Sequence, residues 1–141
     1  DSLIPQMKKG RYKIRLDCPA GIRLFTFPGI ISQILTNLVM NSITHGFEDR
    51  SKGDILIKVI QYDRMIHLEY RDNGCGMDPE TLEKIFNPFF TTKRGQGGSG
   101  LGMHIVYNLL TQKLGGSIKV RSSTGEGTVF DLNFPDSIPQ S

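Results

Sequence analysis

The spacing of apolar residues changes period several times along this chain, and this succession restricts the folds open to it. Apolar residues recur at helical spacing over residues 28–47 and 103–114, which predicts two helices. Alternating or β-branched segments predict strands at residues 13–19, 23–27, 54–63, 64–72, 117–122 and 127–134. These elements interleave without regular strand–helix–strand alternation. We therefore predict an α+β fold, a two-layer sandwich in which helices cover one face of a mixed β-sheet.

Turn and capping residues mark the ends of these elements. Tight turns are predicted at residues 20–21 and 62–64, and a closing hairpin bends around residues 123–127. Asp78 suits the N-cap of a short helix, and Pro79 suits its first position. Gly115 and Gly116 end the last helix.

Composition excludes several classes of protein. With 141 residues, 38% hydrophobic and 22% charged, the chain suits one globular domain. The net charge of +3, without a dense run of Lys or Arg, does not indicate a nucleic-acid partner. Polar residues interrupt the longest apolar stretch, residues 30–43, so it does not predict a membrane span. Cys18 and Cys75 lie far apart, which suits reduced thiols in a cytosolic setting.

Five of the eight residues from Gly95 to Gly102 are glycine, and a helical pattern begins directly afterwards. Gly95, Gly97 and Gly100 match the letters of a dinucleotide-binding fingerprint, but no strand precedes them and the match is accidental. The Gly-Lys-Ser/Thr tripeptide of a Walker A loop is absent from the sequence. A glycine-rich loop that leads into a helix offers backbone N–H groups to a phosphate chain. A plain surface loop is the other interpretation.

Asn37 and Asn41 lie four residues apart on one face of the first predicted helix, and Gln33 and His45 extend this polar stripe. Carboxamides beside apolar Leu38 are costly to bury unless something uses them. An amide oxygen is also a suitable ligand for Mg²⁺. The stripe indicates either a cation site or a set of satisfied polar groups at the helix surface.

Asp72 ends a strand and begins the segment Asp-Asn-Gly-Cys-Gly, in which Gly74 and Gly76 permit a sharp turn with close backbone approach. A carboxylate placed there can accept a hydrogen bond from an exocyclic amine such as that of adenine. Thr128 opens a strand after the segment Gly-Glu-Gly. Each segment alone is also an ordinary turn sequence.

Together and in this order, these four segments resemble the ATP-binding catalytic domain of histidine kinases. This is the Bergerat-type (GHKL) fold, also found in gyrase and heat-shock chaperones. Residues 86–93, Phe-Asn-Pro-Phe-Phe-Thr-Thr-Lys, match the family's phenylalanine-rich box. The resemblance covers roughly residues 27–134, and it implies an enzyme that uses ATP and Mg²⁺.

The resemblance also implies roles for individual residues. Asn41 would be the magnesium ligand, Asn37 a second catalytic position one turn earlier, and Asp72 the acceptor for the adenine amine. Thr128 would support the adenine site, and Phe89, Phe90 and Lys93 would belong to a lid over the nucleotide. The nucleotide-binding set implied in this way is Asn41, His45, Asp72, Gly74, Gly76, Met77, Phe90, Thr91, Thr92, Lys93, Gly98, Ser99, Gly100, Leu101, Gly102, Met103 and Thr128.

Three positions depart from the family's pattern. Thr44 stands where many relatives have a lysine that contacts phosphate. His45 stands where an aromatic ring often stacks on adenine, although a plain histidine at a helix end is equally compatible. Asn37 stands where hydrolytic members carry the glutamate that activates water, and an amide cannot take a proton. The sequence therefore predicts that ATP is bound and presented for phosphoryl transfer rather than hydrolysed.

The phosphoacceptor is expected on a separate domain. In the family, the phosphorylated histidine is followed by an acidic residue, whereas Gly46, Leu68 and Ile105 follow the three histidines here. We expect residues 1–11 to be a linker from an upstream helical dimerisation and histidine phosphotransfer domain. Residues 12–135 would form the ATP-binding catalytic domain, and residues 136–141 a C-terminal tail.

The expected partners follow from this assignment. They are the helical domain of the same parent protein and, through it, a response regulator of a two-component system; no nucleic acid is expected. We expect the chain itself to be monomeric and cytoplasmic, and to be inactive in autophosphorylation without that domain. The parent protein could be anchored in the inner membrane. Two alternatives remain open: a serine/threonine kinase of the anti-sigma-factor type, and a nucleotide-binding module without catalysis.

Overall fold

A computed structural model of the protein describes residues 12–19, 28–47, 52–87 and 102–136. Five strands form one sheet: β1 (Tyr12–Asp17), β2 (Gly53–Tyr62), β3 (Met65–Asp72), β4 (Ser117–Ser122) and β5 (Thr128–Pro135). The strand order is β1-β2-β3-β5-β4. β1 pairs with β2 in parallel, and the other neighbouring strands pair antiparallel. The predicted mixed sheet is confirmed.

The helices are α1 (Pro28–Asn41), α2 (Pro79–Lys84) and α3 (Gly102–Asn108). α1 and α3 each continue into one wider π-helical turn, at Ser42–Gly46 and Leu109–Lys113. The backbone N–H of Phe47 donates to the Ser42 carbonyl at 2.7 Å, and that of Leu114 donates to the Leu109 carbonyl at 3.1 Å. The spacing of apolar residues did not predict these turns, which often occur near functional sites.

The core lies between one face of the sheet and the helices. Alternation along β3 directs Ile66, Leu68, Tyr70 and Asp72 to this face, where all four are buried. Helix α1 lies against α3, and their apolar stripes cover the inner face of the sheet. The fully buried aliphatic side chains of this layer stabilise the fold by about 1.5–3 kcal/mol each. The predicted two-layer α+β sandwich is therefore confirmed, with the core formed by Ile31, Ile34, Leu38, Val39, Phe47, Ile55, Ile57, Val59, Ile66, Leu68, Tyr70, Met103, Val106, Leu110, Leu114, Phe130, Leu132 and Phe134.

Several predicted boundaries are confirmed within a residue or two. Asp63 and Arg64 form the turn between β2 and β3, with φ angles of 53° and 64°. The Asp78 side chain caps α2 by accepting a hydrogen bond from the Thr81 N–H at 2.8 Å. β1 ends at Asp17, before the predicted residue 19, because Pro19 has no N–H to donate to the sheet. The predicted strand at residues 23–27 lies outside the described residues.

Within the described ranges, no helix has both the length and the apolar character needed to cross a membrane.

Candidate nucleotide-binding site

Two buried polar residues lie opposite each other where β3 ends and β5 begins. Asp72 and Thr128 are paired in the register of the antiparallel strands. Both side chains face the helices, with only 3% of Asp72 and 5% of Thr128 exposed. A buried carboxylate is costly unless hydrogen bonds compensate for its lost hydration, so its contacts define the local chemistry.

Among the described residues, each carboxylate oxygen of Asp72 accepts one hydrogen bond. The Ser42 hydroxyl donates to Oδ2 at 2.7 Å, and the backbone N–H of Gly74 donates to Oδ1 at 3.0 Å. A Cβ atom at Gly46 would lie 3.1 Å from Oδ2, so the end of the π-helical turn closes directly over the carboxylate. Hydrogen bonds to an ionised group are short and strong, and they hold Asp72 in one orientation.

The segment after Asp72 packs against the end of the α1 π-helical turn. The N–H of Cys75 donates to the Gly46 carbonyl at 2.7 Å, and the Cys75 thiol donates to the His45 carbonyl at 3.3 Å. A Cβ atom at Gly74 would lie 2.6 Å from the Gly46 carbonyl carbon. Only glycine permits this contact, which explains the physical need for Gly74 in the segment.

A second serine joins the other side of the site. The Ser122 hydroxyl donates to the Gly127 carbonyl at 2.7 Å and accepts from the Met77 N–H at 2.8 Å. It also contacts the Thr128 hydroxyl at 2.9 Å. Ser122 therefore connects two predicted site residues, Met77 and Thr128, although the sequence analysis did not identify it.

Asn37 connects α1 to the beginning of α3. Its Oδ1 accepts a hydrogen bond from Gln33 Nε2 at 3.0 Å, and its Nδ2 donates to the Gly102 carbonyl at 3.2 Å. These two hydrogen bonds use both the oxygen acceptor and the nitrogen donor of the Asn37 amide. A carboxylate at this position could not donate to Gly102.

Asn41 lies one turn after Asn37 and directly before Ser42. Its side chain is half-buried and has no hydrogen-bond partner among the residues that the structure describes. Within that part of the chain no contact occupies its amide oxygen, which is the kind of atom that a hard cation prefers. Met103 packs into the core, so its predicted contribution to binding would come from its backbone.

The structure thus joins His45, Asp72, Gly74 and Cys75 in one cluster, and Met77 and Thr128 through Ser122. Asn37 and Gly102 form a second contact beside Asn41. Gly76 lies between Cys75 and Met77 with a φ of 73°, a backbone conformation that glycine adopts readily. The other predicted binding residues lie outside the described ranges: Phe90, Thr91, Thr92, Lys93, Gly98, Ser99, Gly100 and Leu101.

The cluster around Asp72 contains another hydroxyl that the sequence analysis missed. The fully buried Tyr70 hydroxyl contacts the Ser42 hydroxyl at 2.7 Å, and it also lies 3.1 Å from the Leu38 carbonyl, a second acceptor for its proton. Burial, and to a smaller extent the charge of Asp72, raises the pKa of Tyr70 well above its ordinary value. Tyr70 therefore keeps its proton across the physiological pH range.

The opposite face of the sheet presents a different chemistry. A groove of about 600 Å³ is lined there by Lys13, Arg15 and Arg71 together with acidic Asp54 and Glu126. Asp72 also lines this groove, but its carboxylate accepts its hydrogen bonds from Ser42 and Gly74 on the side of the helices.

Farther along this face of the sheet, opposite the helices, His67, Glu69 and Asp131 approach one another closely enough to be considered as cation ligands. Arg71 pairs with Glu69 at 3.2 Å, and Arg121 pairs with Asp131 at 3.3 Å. Both carboxylates already have cationic partners, so this group of residues is explained as part of an ion-pair surface.

Comparison with known proteins agrees with this geometry. Residues 28–138 match the family described as histidine kinase-, DNA gyrase B-, and HSP90-like ATPase. The sensor histidine kinase ZraS of Salmonella typhimurium is 39% identical over 113 residues, which cover 80% of this chain and 23% of that protein. The sensor protein TorS of Escherichia coli is 34% identical over 139 residues, covering 92% of this chain and 14% of that protein. The chain thus spans less than a quarter of the length of these relatives.

A solved structure gives the same result for the fold. The catalytic domain of histidine kinase ThkA superposes with a TM-score of 0.77 at 26% identity, covering 96% of this chain and 86% of that one. Its match extends over both layers of the sandwich. The chain therefore belongs to the histidine kinase-, DNA gyrase B- and HSP90-like ATPase family, among the catalytic domains of sensor histidine kinases.

Proposed function

We propose that this chain binds Mg-ATP and donates its γ-phosphoryl group to a histidine on a separate helical domain, as the catalytic part of a two-component sensor kinase. The observation that carries the proposal is the buried Asp72 carboxylate, fixed beside the contact between Gly46 and Gly74. An ionised carboxylate can accept about four hydrogen bonds, and the described residues supply two. It retains the capacity to accept from the exocyclic amine of adenine.

Adenine recognition is supported by the surroundings of Asp72. The Ser42 hydroxyl, the Gly74 N–H and the nearby Gly46 backbone together hold the carboxylate, which leaves little freedom for it to turn away from a flat base. Thr128 lies opposite in the register, and Ser122 orients its hydroxyl. The family membership of the chain supports ATP as the nucleotide.

The donor set fits a magnesium ion at Asn41. Its half-buried amide oxygen has no competing hydrogen bond within the described part of the chain, and Mg²⁺ usually takes one or two protein oxygens in addition to phosphate oxygens. When bound, the ion would neutralise charge on the phosphate groups. Asn37 positions the start of α3 next to this amide through the Gly102 carbonyl.

The reaction is proposed to be transfer rather than hydrolysis. Asn37 cannot accept a proton, and both parts of its amide are engaged by Gln33 and Gly102. Two of the histidines have structural contacts: the ring of His67 contacts the Asn133 amide at 2.8 Å, and the ring of His104 contacts the Phe86 carbonyl at 3.2 Å. The acceptor is therefore proposed to lie on the helical domain, in the cytoplasm, and a response regulator would receive the phosphoryl group from it.

Radiolabelled ATP tests this proposal. The chain alone should remain unlabelled and hydrolyse ATP very slowly. A longer chain that includes the upstream helical domain should acquire acid-labile, base-stable phosphate on a histidine of that domain. Asn41→Ala should abolish this labelling with an unchanged circular dichroism spectrum, whereas the exposed control Asn108→Ala should keep it.

Two results would contradict the proposal. Fast ATP hydrolysis by the chain alone would show that Asn37 does not prevent hydrolysis. Acid-stable phosphoserine on a separate protein would instead identify a serine/threonine kinase of the anti-sigma-factor type.

A further inference from the structure

The hydroxyl groups of Ser42 and Tyr70 and the carboxylate of Asp72 form a continuous buried chain. Ser42 and Tyr70 are fully buried, and Asp72 is nearly so. Ser42 lies four residues after Leu38 on the helix, and Tyr70 lies two residues before Asp72 on β3. These periods direct all four residues to the same interface between helix and sheet.

The number of available hydroxyl protons determines which group donates to which along these hydroxyls. Ser42 and Tyr70 supply two hydroxyl protons in total, whereas each of three contacts needs a proton. These contacts are Ser42 to Asp72 at 2.7 Å, Ser42 to Tyr70 at 2.7 Å, and Tyr70 to the Leu38 carbonyl at 3.1 Å. The two short contacts are satisfied together when Tyr70 donates to Ser42 and Ser42 donates to Asp72. The longer contact to Leu38 is then secondary, because that carbonyl also faces the backbone N–H groups of its own helix.

We infer that Ser42 and Tyr70 are specificity-determining positioning residues, which orient the Asp72 carboxylate for adenine through the hydroxyl chain Tyr70→Ser42→Asp72. This inference rests on the proposed adenine contact of Asp72. Ser42 occupies one side of Oδ2 and Gly74 fixes Oδ1, so the remaining lone pairs point in defined directions. Each donor in such a chain polarises the next, which strengthens the hold on the carboxylate.

The consequence is a selectivity effect rather than a general loss of binding. Inosine diphosphate carries a carbonyl where adenosine diphosphate carries the amine, and both nucleotides carry the same phosphates. A carboxylate held in place accepts from the amine and repels the carbonyl. A carboxylate released by loss of the hydroxyl chain can rotate. Rotation weakens the hydrogen bond from the adenine amine and relieves the repulsion of the inosine carbonyl.

Titration calorimetry with the two nucleotides and Mg²⁺ tests this inference. Tyr70→Phe removes one oxygen atom and should weaken ADP binding by about threefold to tenfold, within the range for a lost hydrogen bond. Ser42→Ala should have at least this effect. In both variants, the ratio of the inosine diphosphate Kd to the ADP Kd should fall by a similar factor.

Controls distinguish positioning from a purely structural role. Tyr62→Phe makes the same chemical change at a side chain that is 81% exposed, and it should leave the ratio unchanged. Ser42→Thr keeps the hydroxyl and should restore the ratio lost in Ser42→Ala. Thermal melts of every variant would verify folding, and Tyr70→Phe keeps the test valid if the Ser42 variants fail to fold.

The outcomes separate this inference from the proposed function. If the parent chain binds ADP and Tyr70→Phe changes both Kd values equally or not at all, the positioning role is wrong while the nucleotide site stands. If the parent chain binds neither nucleotide, the proposed function itself is wrong. Tighter ADP binding in Tyr70→Phe would also overturn the inference, because it would show that the hydroxyl chain competes with adenine.

Discussion

Replacing Gly74 with alanine would insert a methyl group between two backbone segments that the site holds in contact. The added Cβ would lie 2.6 Å from the Gly46 carbonyl carbon and 2.8 Å from the Gly46 Cα. Both neighbours are backbone atoms, so no side-chain rotation can relieve the overlap. The segments must separate, and the 2.7 Å hydrogen bond from the Cys75 N–H to the Gly46 carbonyl must lengthen.

The expected loss of stability has two parts. Overpacking in a tight site costs about 1–3 kcal/mol, and a weakened hydrogen bond costs up to about 1 kcal/mol. Together they lower the free energy of unfolding by about 1–4 kcal/mol, which corresponds to roughly 3–12 °C in Tm for a domain of this size. Nucleotide binding should also weaken, because the Gly74 N–H donates to Asp72.

Thermal unfolding followed by circular dichroism measures this effect. Gly29→Ala is a matched control in α1, because a Cβ at Gly29 would have no heavy atom within 4 Å. That control should leave Tm unchanged or raise it slightly, since alanine is the better helix former. A Gly74→Ala protein that melts with the parent would refute the close contact between the two segments.

Two further changes test separate parts of the structure. Asn37→Asp removes the donor to the Gly102 carbonyl and places an anion against it, so urea unfolding should show a loss of about 1–3 kcal/mol; parent-like stability would show that this hydrogen bond does not matter. Asp78→Ala should lower Tm near neutral pH, because Asp78 caps α2. The hydrogen bonds from Thr81 lower the pKa of Asp78, so the capping contribution is present above the ordinary pKa of the carboxyl and is lost as pH falls through the lowered one. Melts from about pH 7 to pH 2 should therefore show the two proteins converging in acid, and a difference that persists there would contradict the capping role.

The fold followed from the sequence because its signals are local. Alternation in β2 and β3, the cap at Asp78 and the glycines at 115 and 116 each act within a few residues. Gly115 indeed has a φ of 68° after the last helix, as the helix-ending signal predicts. The parallel pairing of β1 with β2 could not be predicted in this way, because it joins segments separated by the whole of α1.

The candidate site was predictable only in part for the same reason. Asp72, Gly74 and Thr128 stand in recognisable segments, so resemblance to a family identified them. Ser42 and Ser122 do not, because their importance comes from contacts across 30 residues to Asp72 and 45 residues to Met77. One signal was nevertheless available: Tyr70 continues the core-facing alternation that ends at Asp72, and a tyrosine hydroxyl buried there needs a partner.

The most direct test of the account is calorimetric titration of Mg-ADP into the chain and into Asp72→Asn. The asparagine variant should fold, because its amide can accept from the Gly74 N–H and donate to the Ser42 hydroxyl, which can then donate to Tyr70. The parent should bind one nucleotide, and Asp72→Asn should bind at least about tenfold more weakly, as expected for a lost charge-assisted hydrogen bond. Equal binding by a folded Asp72→Asn protein, or no heat from the parent at millimolar nucleotide, would contradict the claim that Asp72 recognises adenine.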